Sequence, residues 1–396
     1  MSQSISLPYL SKRTAVLAMV EALPAAVLSL PNGHFLSSAS CLSEGHPDKV
    51  CDQVADAVVD ACLAQDPNSR VTCEVCLKGQ VLFVLGDYLT SAQVEIEQIV
   101  RETLKRIGLD SEEKGLDYIT CRVIVQMTKR PEWTCGGDSG VCIGTASSET
   151  PEAVSLPQAL AWKLAVRLTE VRRNGLCTWL RTDGRAQITI EYKQDQGKAV
   201  PVRVHSVLIN AQHDPEISLE ELRLQLKEHV VKPVLPAQLL DEHTSYNLNV
   251  QGKFIQGREV GVSGRRSALD SFGSQTVSVW AGIDPSQVSR CGSFAARWVA
   301  KSIIKSHLCD RVQFQVAYAG KELASVALDS FGTCKVGKDD SELLSLVLRH
   351  FDLRPESLVR EMKLQRPIYQ RSATFSPRED DFDQPWEVPK EVSLDL

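Results

Sequence analysis

The stretch PDKVCDQVADAVVDACLAQDPNSRVTCEVCLK, residues 47–78, changes its apolar period partway along, and that change decides the fold class. Val50, Val54, Val58 and Cys62 recur at helical spacing behind Pro47, a residue that a first helical turn tolerates. The spacing predicts a helix over 48–63. Val71, Cys73, Val75 and Leu77 then alternate with polar neighbours that include Glu74, which predicts a strand with one buried face.

The same order returns twice. A helix over 156–172 follows Ser155, with Leu156, Leu160, Leu164 and Leu168 on its stripe, and another over 293–306 carries Ala295, Val299 and Ile303. Alternating strands follow, marked by Ile188, Ile190 and Tyr192, and by Val312, Phe314, Val316 and Tyr318. Each round continues with a second strand (81–85, 202–209, 324–328), a second helix (91–107, 218–231, 341–351) and a closing strand (120–126, 246–250, 359–364). Ser218 and Glu221 have capping-box spacing at the middle second helix. The fold class is therefore α+β, three similar units in which two helices cover one face of a small sheet. Glu74, Gln187, Thr189 and Glu191 make the other face mixed, so sheets or subunits are expected to pack through it. A dimer or larger assembly follows.

With 396 residues the chain has room for several packed units. Its net charge of -6 supplies no field for a nucleic acid. No apolar run reaches the ~18–20 residues of a spanning helix, which excludes an integral membrane protein built of helices. A targeting signal over Thr14 to Leu30 is interrupted by Glu21 and Pro24. The 12 cysteines fall at positions that look like element interiors, which reads as reduced, intracellular thiols. Cys73 and Cys76 are a close pair with no second pair to complete a zinc site.

Three stretches carry residues suited to chemistry. SEGHPDK at 43–49 puts a base, two carboxylates and an ammonium group at a helix start, where free N–H groups suit phosphate and a carboxylate can hold Mg²⁺; the competing reading is an ordinary cap. GGDSG at 136–140 exposes backbone amides around one carboxylate, as an anion cradle or simply a turn. WLRTDGR at 179–185 sets Asp183 between Arg181 and Arg185, an anion or ribose clamp or else solvated turn charges. Arg265 and Arg266 form a further basic cluster. Neither a Walker A pattern nor GxGxxG is present.

Taken together, SEGHPDK at 43–49, DQVADAVVDA at 52–61, GDSG at 137–140, ETPE at 149–152, WLRTDGRAQ at 179–187, VKPVLP at 231–236, FAARWVAKS at 294–302, FDLRP at 351–355 and PIYQR at 367–371 resemble the S-adenosylmethionine synthetases, or methionine adenosyltransferases. The likeness runs from about Phe35 to Lys390, and the segment Pro385 to Lys390 looks like the eukaryotic branch. The resemblance implies three α/β-sandwich domains about a pseudo-threefold axis, here 35–132, 133–251 and 252–396, behind an extension over 1–34. It implies a cytoplasmic homodimer or tetramer whose sites lie between subunits. It also implies S-adenosylmethionine formation from ATP and L-methionine, with release of phosphate and pyrophosphate, using Mg²⁺ and K⁺.

Carried over position by position, the resemblance makes His46, Arg185, Arg265 and Arg266 catalytic, with Asp48 on Mg²⁺ and Glu74 on K⁺. Asp87, Arg130, Asp138, Asp183, Phe254 and Glu259 would contact ATP or methionine. The sequence departs from the family at several of these. Asp87 stands for Glu, Arg130 for Gln, Arg185 for Lys and Glu259 for Asp, and roughly a dozen residues of the mobile loop after Arg130 are missing. The glycine-rich phosphate loop is replaced by Ser274 to Trp280. Ile283 and Gln287 stand where the family has two lysines, and Ser289 where it has Asp. At about 2–4 kcal/mol per transition-state contact, the two lost ammonium groups predict a rate lower by roughly 10³-fold or more. A second expectation is thus a weak or silent paralogue that binds and modulates an active subunit in a mixed oligomer.

Overall fold

The computed structural model describes residues 30–133, 139–195, 198–265, 281–335, 339–374 and 384–393. The expected extension over 1–34 therefore lies, up to residue 29, outside the described residues. The first round is β1 (His34–Leu42), α1 (Pro47–Gln65), β2 (Arg70–Lys78), β3 (Val81–Leu89), α2 (Ile96–Ile107) and β4 (Arg122–Lys129). The second is β5 (Gly140–Ser147), α3 (Leu156–Arg173), β6 (Leu180–Asp195), β7 (Lys198–His213), α4 (Leu219–Leu226) and β8 (Ser245–Leu248). The third is β9 (Val260–Val262), α5 (Val288–Lys305), β10 (Arg311–Ala319), β11 (Glu322–Asp329) and α6 (Asp340–His350). Ser218 caps α4, its hydroxyl accepting from the Glu221 N–H at 3.2 Å.

Each round builds a hairpin with helices, yet none of the three larger sheets closes within its own round. The strand orders are β9-β2-β3-β4, β1-β6-β7-β8 and β11-β10-β5. β1 of the first round completes the second sheet, β5 of the second completes the third, and β9 of the third completes the first. This cyclic exchange ties together segments far apart in the chain: β1 pairs antiparallel with β6 from His34 opposite Lys193 to Leu42 opposite Arg185. Closing strands β4 and β8 lie parallel to β3 and β7.

The third round has no closing strand over 359–364. That segment falls in and just after α7 (Pro355–Glu361). Pro355 in the first turn fits a helix start, and buried Leu358 and Met362 recur at helical rather than strand spacing. α5 also begins ahead of the expected 293, because Val288 and Cys291 extend its buried stripe toward the N-terminus.

The helices pack into two cores rather than three. One joins α1, α2 and α5 with the first and third sheets, from Val54 and Val71 to Phe294 and Phe314. The other holds α3 against the second sheet through Leu160, Leu164, Ile188 and Val207. On the opposite face of the first sheet, Glu74 lies across from Leu85, and Phe83 from Cys76 and Ile124. Glu74 and Phe83 are exposed there. Cys73 and Cys76 point to opposite faces of β2, so they cannot converge on one ion, and the described cysteines are free thiols. Among the described residues, no helix is long and apolar enough to cross a membrane.

Candidate active site

SEGHPDK divides its residues between scaffold and cleft. The Ser43 hydroxyl donates to the Thr182 carbonyl at 2.8 Å. Gly45 comes so close that an added Cβ would sit 2.3 Å from the Thr182 side chain, so only glycine fits. Glu44 is buried and receives Arg172 and Arg173 from the end of α3, while the Lys49 ammonium donates to the Ala373 carbonyl at 3.2 Å. Glu44 and Lys49 are thus structural charges. His46 caps α1, its Nδ1 accepting from the Asp48 N–H at 3.2 Å. A neutral ring in that bond carries its proton on Nε2.

Asp48 is placed by an element from the other end of the chain. Its Oδ1 accepts from the Val262 N–H of β9 at 3.0 Å and lies 3.6 Å from an Arg265 guanidinium nitrogen. The exchanged strand therefore carries the basic cluster to the start of α1. Asp52, one turn on, accepts from the Gly264 N–H at 2.6 Å and fixes the same segment.

A cleft of about 420 Å³ opens beside this corner, lined by His46, Asp48, Asp183, Arg185, Phe254 and Arg258, with Asn210 and Asn249 among the other walls. Asp183 enters it from β6, at the buried end of the long hairpin away from its turn, and accepts from the Arg258 N–H at 3.3 Å. Burial pushes the Asp183 carboxyl up to about 6, against the Arg258 and Gly184 N–H groups that favour its charge. Its raised value gives a definite sign. Stability owed to the neutral acid is complete below the ordinary carboxylate range and falls as pH rises toward about 6. Binding of a ligand that donates to the Asp183 carboxylate is expected to strengthen over the same rise. Asp183→Asn should abolish the inflection near pH 6 in a pH series of binding isotherms; an unchanged inflection would assign it to another group.

Phe254 is held by His213, its N–H donating to Nε2 at 3.1 Å. Arg181 does not reach the cleft as a clamp: it is buried in an ion pair with Asp214 at 2.7 Å. Glu259 is also outside the cleft wall, exposed and bound to Lys78 at 2.5 Å. Asp138 and Arg266 lie outside the described residues, as does Ser274 to Trp280.

The remaining residues singled out in the sequence lie at the first sheet rather than in the cleft, Glu74 and Asp87 on its strands and Ile283 and Gln287 beside Val71 and Thr72 of β2. Glu74 is exposed on β2. Asp87 and Arg130 pair with each other, Nε to Oδ1 at 2.8 Å. Ile283 forms a bridge with Thr72 and is half-buried, packed against the core. It follows Gly282, whose φ of +83° and approach to the Cys73 carbonyl exclude a side chain. The Gln287 amide donates to the Val71 carbonyl at 3.1 Å and the Thr72 hydroxyl at 3.2 Å. Asn210, Asn249 and Arg258 are cleft residues that pattern reading missed; Asn249, at φ +44°, carried no motif signal.

A magnesium ion fits the cleft in one respect. Asp48 is a hard oxygen donor beside room for phosphate, and such an ion is commonly held by one carboxylate plus phosphate oxygens. Among the described residues no three His, Cys, Asp or Glu side chains cluster as a metal site. Glu74 offers potassium one exposed carboxylate, which does not by itself make a site within one chain.

Comparison with known domain families gives three matches in order along the chain: the S-adenosylmethionine synthetase N-terminal domain over residues 34–131, the central domain over 134–254 and the C-terminal domain over 255–388.

Proposed function

The chain belongs to the S-adenosylmethionine synthetase family, and from that premise we propose that its cleft binds ATP and L-methionine and transfers the adenosyl group to the methionine sulfur. The observation that carries this reading is the convergence of His46, Asp48, Asp183, Arg185 and Phe254 on one cleft, from β-strands and helix starts distant in sequence. The sulfur would attack the 5′ carbon of ATP and expel triphosphate, which hydrolysis then splits to pyrophosphate and phosphate. His46, with its Nε2 proton, and Arg185 and Arg265 would meet the charge that develops on the departing oxygens. Asp183 would accept from a ligand hydroxyl or ammonium group. Magnesium held at Asp48 would supply further charge neutralisation.

The family is generally oligomeric, and the side of the first sheet that carries exposed Glu74 beside half-buried Asp87 and Gln287 supports a homodimer or tetramer in which this face meets a partner. Potassium at Glu74 would then need oxygens from beyond one chain. A cytoplasmic location goes with the reading of reduced thiols.

A second reading is favoured by the first sheet. Gln287 spends its amide on β2, Ile283 packs on the core, and Asp87 is already paired with Arg130. None of these presents the cation or open carboxylate that the resemblance expects, so a slow or silent subunit that binds and modulates an active synthetase is the alternative. Incubation with ATP, methionine, Mg²⁺ and K⁺ distinguishes the two. S-adenosylmethionine and phosphate in equal amounts support the first; no product, together with co-assembly and a changed rate of an active synthetase, supports the second.

A further inference from the structure

The geometry points to Arg258 as the residue that grips the polyphosphate of the nucleotide, an assignment that rests on reading the cleft as a nucleotide and amino-acid site. Arg258 shares the cleft wall with His46, Asp48, Asp183 and Arg185. Its backbone is pinned there: the Arg258 N–H donates to Asp183 Oδ2, and a Cβ on Gly257 would lie 3.2 Å from that same oxygen. Its side chain is exposed and, among the described residues, forms no close ion pair, although its charge acts on the nearby Asp183 carboxylate. That is unusual for its setting, because the adjacent Glu259 is taken by Lys78 rather than by Arg258.

The charge of the cleft also asks for an anion. Arg185, Lys253 and Arg258 line it against two carboxylates, Asp48 and Asp183. Asp48 already faces Arg265 and the β9 backbone, and Asp183 accepts from the backbone of Arg258. Guanidinium forks match phosphate oxygens two at a time, which suits Arg258 to a polyphosphate better than to a neutral ribose or ring. Positions 283 and 287 lie outside this cleft and carry no cation, so the cleft's own cations, Arg258 among them, must neutralise the phosphates. Arg258 is in this sense a substitute for charge lost elsewhere.

The test is a comparison of two probes by calorimetry on the full chain with Mg²⁺: adenosine, and the non-hydrolysable imidotriphosphate of adenosine. Arg258→Ala is expected to weaken the imidotriphosphate by about 10- to 100-fold, the range of one charge-assisted contact, and adenosine by less than 2-fold. Arg258→Lys should recover part of the loss, and the wild-type advantage for the triphosphate should shrink with added salt. Equal losses for both probes in Arg258→Ala would show a structural role and overturn the assignment. A wild type that binds adenosine but gains nothing from the triphosphate overturns the assignment and leaves the cleft as an adenosine site. A wild type that binds neither probe overturns the functional reading itself and this assignment with it.

Discussion

Glu387→Ala is expected to cost about 3–5 kcal/mol of folding free energy, a large fraction of the about 5–15 kcal/mol that holds a typical protein folded. Glu387 is buried in the C-terminal segment and receives Arg297 at 2.9 Å on both oxygens and Lys301 at 2.9 Å. Arg297 is completely buried on α5, and Lys301 nearly so. Removing the carboxylate leaves two buried cations without their counter-charge, and burial already pushes the Lys301 ammonium down. Arg297 keeps its bonds to the Thr145, Glu152 and Ala153 carbonyls, which hold the guanidinium but do not neutralise it.

The pH dependence has a sign as well. Burial would raise the Glu387 carboxyl, but the two cations outweigh it and hold the group below its ordinary value. The stability it provides is therefore present above the ordinary glutamate range and is lost as pH falls below it. Urea unfolding at neutral pH and at about pH 4 measures both effects. The exposed pair Lys78–Glu259 is the control, because such pairs contribute only ~0–1 kcal/mol. A Glu387→Ala loss no larger than that of Glu259→Ala would refute the argument.

The second large effect is on rate. Ile283→Lys combined with Gln287→Lys is expected to raise S-adenosylmethionine formation by about 10²-fold or more, since in the proposed oligomer the first sheet meets a partner subunit and each restored cation would act on the triphosphate departing in the partner's cleft. The structure says why both changes are needed. A Lys at 287 alone has the Val71 carbonyl, the Thr72 hydroxyl and the Asp284 carboxylate within the reach of the present amide, so its charge would be partly spent on the scaffold. Ile283 is half-buried rather than buried, so a longer side chain has an outlet, and its carbonyl would still accept from Arg290 at 2.6 Å. The gain should appear in kcat more than in KM. A folded double variant with no gain would transfer the explanation to the paired Asp87 and Arg130 and favour the binding-subunit reading.

Much of the architecture was legible because period survives in sequence. Val50 to Cys62 and Val71 to Leu77 lie in α1 and β2, and the corresponding stretches of the other rounds lie in α3, β6, α5 and β10. The exception, 359–364, failed where a short apolar segment fits either period and Pro355 tipped it to helix. Legible too was the chemistry of SEGHPDK and TDGR, but not which of their charges would reach a ligand. Glu44, Lys49 and Arg181 look as functional in sequence as His46, Asp48 and Asp183, and burial in ion pairs and backbone contacts separates them.

Local preferences are written in the order of the residues: the helix and strand periods, their threefold recurrence, and the residue types available for phosphate and cation. These depend on neighbours a few positions apart, which a single chain displays directly. The cyclic exchange of β1, β5 and β9, the fusion of two sheets into one core, and the assembly of a cleft from residues between 42 and 258 arise from long-range packing instead. Strand partners are chosen by burial and backbone pairing over hundreds of residues, and nothing in the alternation of Val260 and Val262 names β2 as their partner. For the same reason no local signal marks Arg258, and only its N–H on Asp183 brings it to the cleft.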